Sequence, residues 1–168
     1  FIETCMSLHA IAKLVNVDVL PALLPGVLTC LKHKQPIVRK KAVVCLQSFF
    51  RLQPSSILEL NEVVLAALCD PDPSVMSASL LLLKDVAKVH TQEYKMVIPS
   101  LVTILKQVIE HRLSHDYNYH RLPAPWIQMN ILQLFSTLCH GDRKASELIY
   151  DLLSDVLRRA AVSSNIGY

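Results

Sequence analysis

The residues best equipped for chemistry crowd into HRLSHDYNYHRLPAPW, positions 111–126. His111, His115, Asp116, Tyr117, Tyr119 and His120 come first, followed by Pro123, Pro125 and the only tryptophan, Trp126. Such a set suits a metal site, a general acid/base centre or a polar loop. A zinc site on a helix favours His at i and i+4, the spacing of His111 and His115. The glutamate of an H-E-x-x-H motif is missing, and Leu113-Ser114 reads as a helix end between the two histidines. A third ligand would have to come from Asp116 or His120 in a loop. The polar reading is the stronger one. His111 and Arg112 fall in the last turn of a helix over 94–112, where cations complement the macrodipole. Tyr117 and Tyr119 alternate with polar residues, as in an extended strap lying on neighbouring helices.

Nucleophilic catalysis finds no better footing. The chain has three glycines, Gly26, Gly141 and Gly167, with neither a G-x-S-x-G elbow nor a phosphate loop. Cys139 and His140 are adjacent, but no third group orients them. Cys5, Cys30, Cys45, Cys69 and Cys139 are odd in number, widely spaced and set among apolar residues. That usage fits reduced core thiols rather than a disulfide framework or a zinc site. No catalytic, metal or cofactor-binding residue is therefore assigned, and a non-enzymatic chain without cofactor is expected.

Charge is more informative. The formal net charge is only +3, yet residues 19–58 contain no Asp or Glu. Lys32, His33, Lys34, Arg39, Lys40, Lys41 and Arg51 all fall in that interval. Lys32 to Lys34 end one expected helix, and Arg39 to Lys41 lie in the first turns of the next. The turn between them presents a basic edge: Lys32, Lys34, Arg39, Lys40 and Lys41. It reads either as a solvated helix end or as a surface that meets anionic lipid or an acidic protein. Nucleic acid is not expected, because no aromatic residues interleave with the basic ones.

The elements that would position these groups are helices. The hydrophobic fraction is 52% and the aromatic fraction 6%, a mix that suits an all-α protein. PIVRKKAVVCL from Pro36, PSVMSASLLLL from Pro73 and PWIQMNILQLF from Pro125 share one pattern. An apolar row runs through Val38, Ala42, Cys45, Phe49 and Leu52. Its counterparts are Val75, Ser79, Leu82, Val86 and Val89, then Ile127, Ile131, Leu134, Leu138 and Gly141. Steps of four and three place each row on one helical face. A second row follows: Val43, Leu46, Phe50; Leu80, Leu83, Ala87; Leu132, Phe135, Cys139. Two rows on one helix mean cover from two sides, as in a stack. Proline opens each helix where no N–H is needed, and Asp72 is a candidate N-cap. Further helices are expected over 3–15, 19–33, 57–69, 94–112 and 143–161.

The pattern predicts a HEAT/armadillo-like α-solenoid of antiparallel helix pairs with about eight helices. Pro36 and Pro73 lie 37 residues apart and Pro73 and Pro125 lie 52 apart, so a loop is inserted near 113–123. No stretch is long and apolar enough to span a bilayer: Val17 to Leu31 is short and interrupted by Asp18, Pro21 and Pro25. A positive mean hydropathy without a span, and a start in mid-pattern at Phe1-Ile2-Glu3, suggest one internal segment, 1–168, of a longer protein.

With the repeat in place, PAPWIQMNILQLF at 123–135, preceded by DYNYH at 116–120, resembles the equivalent segment of large adaptin subunits in clathrin-type adaptor complexes. IVRKKAVVCL at 37–46, ALCDPDPSVMSASL at 67–80, LVTILKQVIE at 101–110 and SELIYDLLSDVLRRA at 146–160 add to it. The likeness is greater to the epsilon-type subunit of adaptor-protein complex four than to the alpha or gamma types. Asp116, Tyr117, Tyr119, Pro123, Pro125 and Trp126 are its landmarks. The resemblance implies a HEAT-type trunk that pairs with beta-type large, medium and small adaptor subunits. It also implies cytosolic recruitment by an ADP-ribosylation-factor GTPase to trans-Golgi network or coated-vesicle membranes, for cargo sorting. A different HEAT scaffold, such as a nuclear transport receptor or phosphatase scaffold, is the alternative. The uneven 52-residue step argues against it.

Overall fold

The computed structural model describes residues 1–56, 61–120 and 122–162. Among them are nine α-helices: α1 Ile2–Leu14, α2 Leu20–Cys30, α3 Pro36–Leu52, α4 Asn61–Leu68, α5 Pro73–Val89, α6 Ile98–Ile109, α7 Pro125–Leu138, α8 Arg143–Glu147 and α9 Tyr150–Val162. The fold is an all-α solenoid of stacked helices. The chain divides into two compact units, Phe1–Val86 and Ala87–Tyr168.

In the first unit α3 packs against both α1 and α2. Its two apolar rows make this geometry possible: Val38, Ala42, Cys45 and Phe49 on one, Val43, Leu46 and Phe50 on the other, all buried. The Cys45 thiol donates to the Leu8 carbonyl of α1 at 2.8 Å. α5 repeats the device, with Val75, Ser79, Leu82 and Val86 buried beside Leu80 and Leu83. Ser79 tolerates its burial by donating to Val75 O at 3.0 Å. Pro36 and Pro73 each start a helix. The Asp72 carboxylate accepts from the Ser74 N–H at 2.9 Å, so it caps α5.

In the second unit α6 packs against α7 and α9. The α7 residues Ile127, Ile131, Leu134 and Leu138 are buried, with Phe135 and Cys139 on the second row and Leu132 half-buried. The Arg159 guanidinium donates to Ile109 O at 3.0 Å, tying α9 to the end of α6.

Several expected boundaries shift. The helix expected over 94–112 divides, because a 3-10 turn at Glu93–Val97 precedes α6, which ends at Ile109. His111 therefore lies beyond the helix rather than in its last turn, and takes a left-handed φ of 58°. Its N–H donates to Val108 O and that of Arg112 to Gln107 O, each at 3.0 Å. This is a Schellman closure with histidine where glycine is usual. The helix expected over 143–161 breaks between Glu147 and Tyr150, which raises the count from eight to nine. For the expected helix 57–69, α4 accounts for 61–68, while 57–60 lie outside the described residues. The last members of the long rows are not core. Leu52 and Val89 end their helices exposed, and Gly141 lies past α7 with φ 69°.

Candidate functional site

The 111–126 stretch connects α6 to α7. Its 3-10 turn at His115–Tyr117 is capped by Ser114, whose oxygen accepts from the Asp116 N–H. A two-residue hairpin follows, with β1 Asn118–Tyr119 antiparallel to β2 Leu122–Pro123. His120 enters its turn at φ 48°. His111, His115, Asp116, Tyr119 and His120 are all exposed. No group of three or more potential metal ligands is assembled among the described residues. The His115 ring nitrogen Nδ1 instead lies 3.1 Å from the Asn118 amide.

Inward anchoring comes from residues without obvious chemistry. Leu122, Pro123 and Ala124 are buried, whereas Tyr119 is exposed with its ring edge-on to His120. The expected tyrosine strap is thus an aliphatic strap, with Tyr117 only half-buried. The Ala124 N–H donates to Tyr117 O at 2.9 Å, and Ala124 is left-handed at φ 39° directly before Pro125. Pro125 disfavours the right-handed helical region for the residue before it, and so turns the chain sharply into α7. Gln128 on α7 is buried and donates to Pro123 O at 2.7 Å, fastening the hairpin's second strand. Pro125 is half-buried and Trp126 exposed at the start of α7.

The basic edge divides into two kinds of side chain. Arg39 turns inward. Its Nε lies 2.7 Å from Asp70 Oδ2 and its Nη2 2.8 Å from Oδ1, a two-pronged pair. Its Nη1 also donates to the carbonyls of His33 and Lys34 at 2.9 and 3.1 Å. The guanidinium thereby locks the α2–α3 turn to the end of α4. Burial pushes the Asp70 carboxyl up, but hydrogen bonds from Arg39 and the Asp72 N–H outweigh it, and the carboxyl is held below its ordinary value. Lys32 and Lys34 are exposed in the turn after α2, while Lys40 and Lys41 are half-buried on α3. None of these four lysines forms an ion pair among the described residues. Arg39 is a structural clamp, and the exposed charge of the edge belongs to Lys32 and Lys34.

Beside this edge lies a feature that sequence reading missed. A cavity of about 540 Å³ opens between the end of α2 and α4, with Arg39 and Asp70 in its wall. Its lining is drawn from residues distant in sequence, and no periodicity marks them. Asp70 carried a weak signal: it lies in CDPDP, immediately before the proline turn that starts α5.

Stacked two-rowed helices, a helix-to-helix clamp and an exposed loop define a helical-repeat scaffold. Comparison with known proteins is specific on this point. The adaptin N terminal region matches residues 2–166, and the chain belongs to that family. It is 41% identical over 99% of its length to AP-4 complex subunit epsilon of Arabidopsis thaliana, and 38% identical over 99% to human AP-4 complex subunit epsilon-1. AP-2 complex subunit alpha-1 of Arabidopsis is 28% identical over 97%. The chain spans 18%, 15% and 17% of these three relatives.

Proposed function

We propose that the chain is one internal segment of an adaptor trunk, a non-enzymatic scaffold within a heterotetrameric vesicle-coat adaptor complex. The family match over residues 2–166 carries this reading. The greater likeness to epsilon-type than alpha-type subunits supports an AP-4-like assembly. Its partners are then beta-type large, medium and small adaptor subunits. Peripheral recruitment to trans-Golgi network membranes by an ADP-ribosylation-factor GTPase, for cargo sorting, completes the proposal. No helix among the described residues is long and apolar enough to cross a membrane. The mechanism is presentation of surface: buried Leu, Ile and Val rows hold the stack while its outer faces meet partners. The 116–126 landmark fixes the entry to α7, and the lysine edge meets an acidic surface.

Affinity purification of the tagged full-length protein tests this. Stoichiometric recovery of the other three adaptor subunits is expected. Recovery of nuclear-import cargo or a phosphatase catalytic subunit in their place refutes it.

A further inference from the structure

The cavity between α2 and α4 is walled by Leu28 and Leu31 on one side and Val63, Ala66 and Ala67 on the other, with Lys32 at its edge. Its volume, about 540 Å³, lies in the range of ligand-binding clefts, roughly 300–1,000 Å³. The wall's own charges cancel, because Arg39 and Asp70 are paired in a two-pronged bridge with side chains only 14% and 10% exposed. The carbonyls at the end of α2 are also occupied: Leu28, Thr29 and Cys30 accept from the N–H groups of Leu31, Lys32 and His33. What remains for a visitor is an apolar slot with Lys32 at its mouth, a cation that forms no ion pair among the described residues. Lys34 follows in the same turn and is exposed and without an ion pair among the described residues. The only acid on the described part of α4 is exposed Glu62 at its start.

We propose that this groove docks a short acidic protein segment, seating one apolar side chain between α2 and α4 and setting a carboxylate on Lys32. The apolar wall supplies burial, and the complementary charge at the rim supplies register and orientation. A bilayer is the poorer occupant, since a flat anionic surface meets projecting lysines but cannot enter a slot. The inference rests on the lysine edge being an acid-binding surface. It does not depend on which assembly the chain serves.

Fluorescence anisotropy with the full-length protein tests it, using a short fluorescein-labelled peptide with one central Leu flanked by Glu on both sides. Saturable binding is expected, weakened roughly tenfold by Lys32→Glu and abolished by Ala66→Trp. Ala66 is exposed, so the indole blocks the groove without entering the core. Thr29→Trp, from the exposed opposite wall, provides a second block, and thermal melting verifies both variants. The same peptide with Gly in place of Leu is expected not to bind. Absence of saturable binding to the unmodified protein overturns the proposal. So does undiminished binding by both correctly folded Trp variants. Flotation with phosphatidylserine vesicles that Lys32→Glu abolishes, without any peptide binding, assigns the edge to a membrane and also overturns the groove. Adaptor assembly is read by co-purification with the unmodified protein, whose outcome does not depend on peptide binding, and this separates the test from that of the proposed function.

Discussion

Replacing Arg39 with Met keeps most of the side chain's volume and removes its charge and donors. Asp70 then loses two hydrogen bonds, of 2.7 and 2.8 Å, and keeps that from the Asp72 N–H at 2.9 Å. The His33 and Lys34 carbonyls lose a shared donor. Breaking a buried pair by removing one member costs about 3–5 kcal/mol, mostly from the charge left behind. The residual exposure of 14% and 10% lets water reach Asp70, so about 2–4 kcal/mol is expected. Urea unfolding of the full chain, followed by far-UV circular dichroism, measures it. Because the loss comes chiefly from the abandoned carboxylate, Arg39→Met/Asp70→Ala is expected to be more stable than the sum of the single losses predicts, by roughly 1–3 kcal/mol. The pH dependence has a definite sign. Asp70 is held below its ordinary value, so its stabilisation is present above an unfolded value of about 3.9. It fades as pH falls through the lower folded value. Asp70→Asn lacks that component of the acid transition. A loss under about 1 kcal/mol for Arg39→Met, or strictly additive single losses, would refute the clamp.

Leu82→Ala and Leu134→Ala, at fully buried positions, are each expected to destabilise by about 2–5 kcal/mol in the same measurement. Ala124→Val places a β-branched side chain at φ 39° in a buried site and is expected to cost about 2 kcal/mol or more, whereas Ala124→Gly stays near neutral. Asp142 caps α8 through the Ala145 N–H and holds Lys95 at 2.7 Å. Its hydrogen bond from Lys95 keeps the carboxyl below its ordinary value, and Asp142→Asn is expected to lower the melting temperature near neutral pH, the difference fading as pH falls through the lowered folded value. Burial pushes the Cys45 thiol up to about 11, so iodoacetamide near pH 8 is expected to label exposed Cys69 first and Cys45 only on unfolding. Peptide mapping by mass spectrometry reads the order.

The helical class, the proline starts and the buried rows were all legible in the chain. Steps of three and four are a local property, and they put Val38, Ala42, Cys45 and Phe49 on one face whatever lies opposite. The inserted loop was legible for a similar reason, since a 52-residue step cannot match one of 37. Boundaries were less so. Leu148-Ile149 continues an apolar pattern that offers no helix stop, and His111 closes α6 in a conformation that composition assigns to glycine.

Function at the edge was least visible. In sequence, Arg39, Lys40 and Lys41 are three adjacent cations with one apparent role. Folding separates them, because Arg39 meets Asp70 from 31 positions away, and only that meeting turns one cation inward. The 111–126 stretch divides in the same way, with exposed histidines and a buried Leu122-Pro123-Ala124 anchor. Periodicity therefore determined which residues face the core of each helix. Which charges are spent inside the fold, and where a groove remains open, depended on side chains brought together from separate helices, and only the tertiary structure decided it.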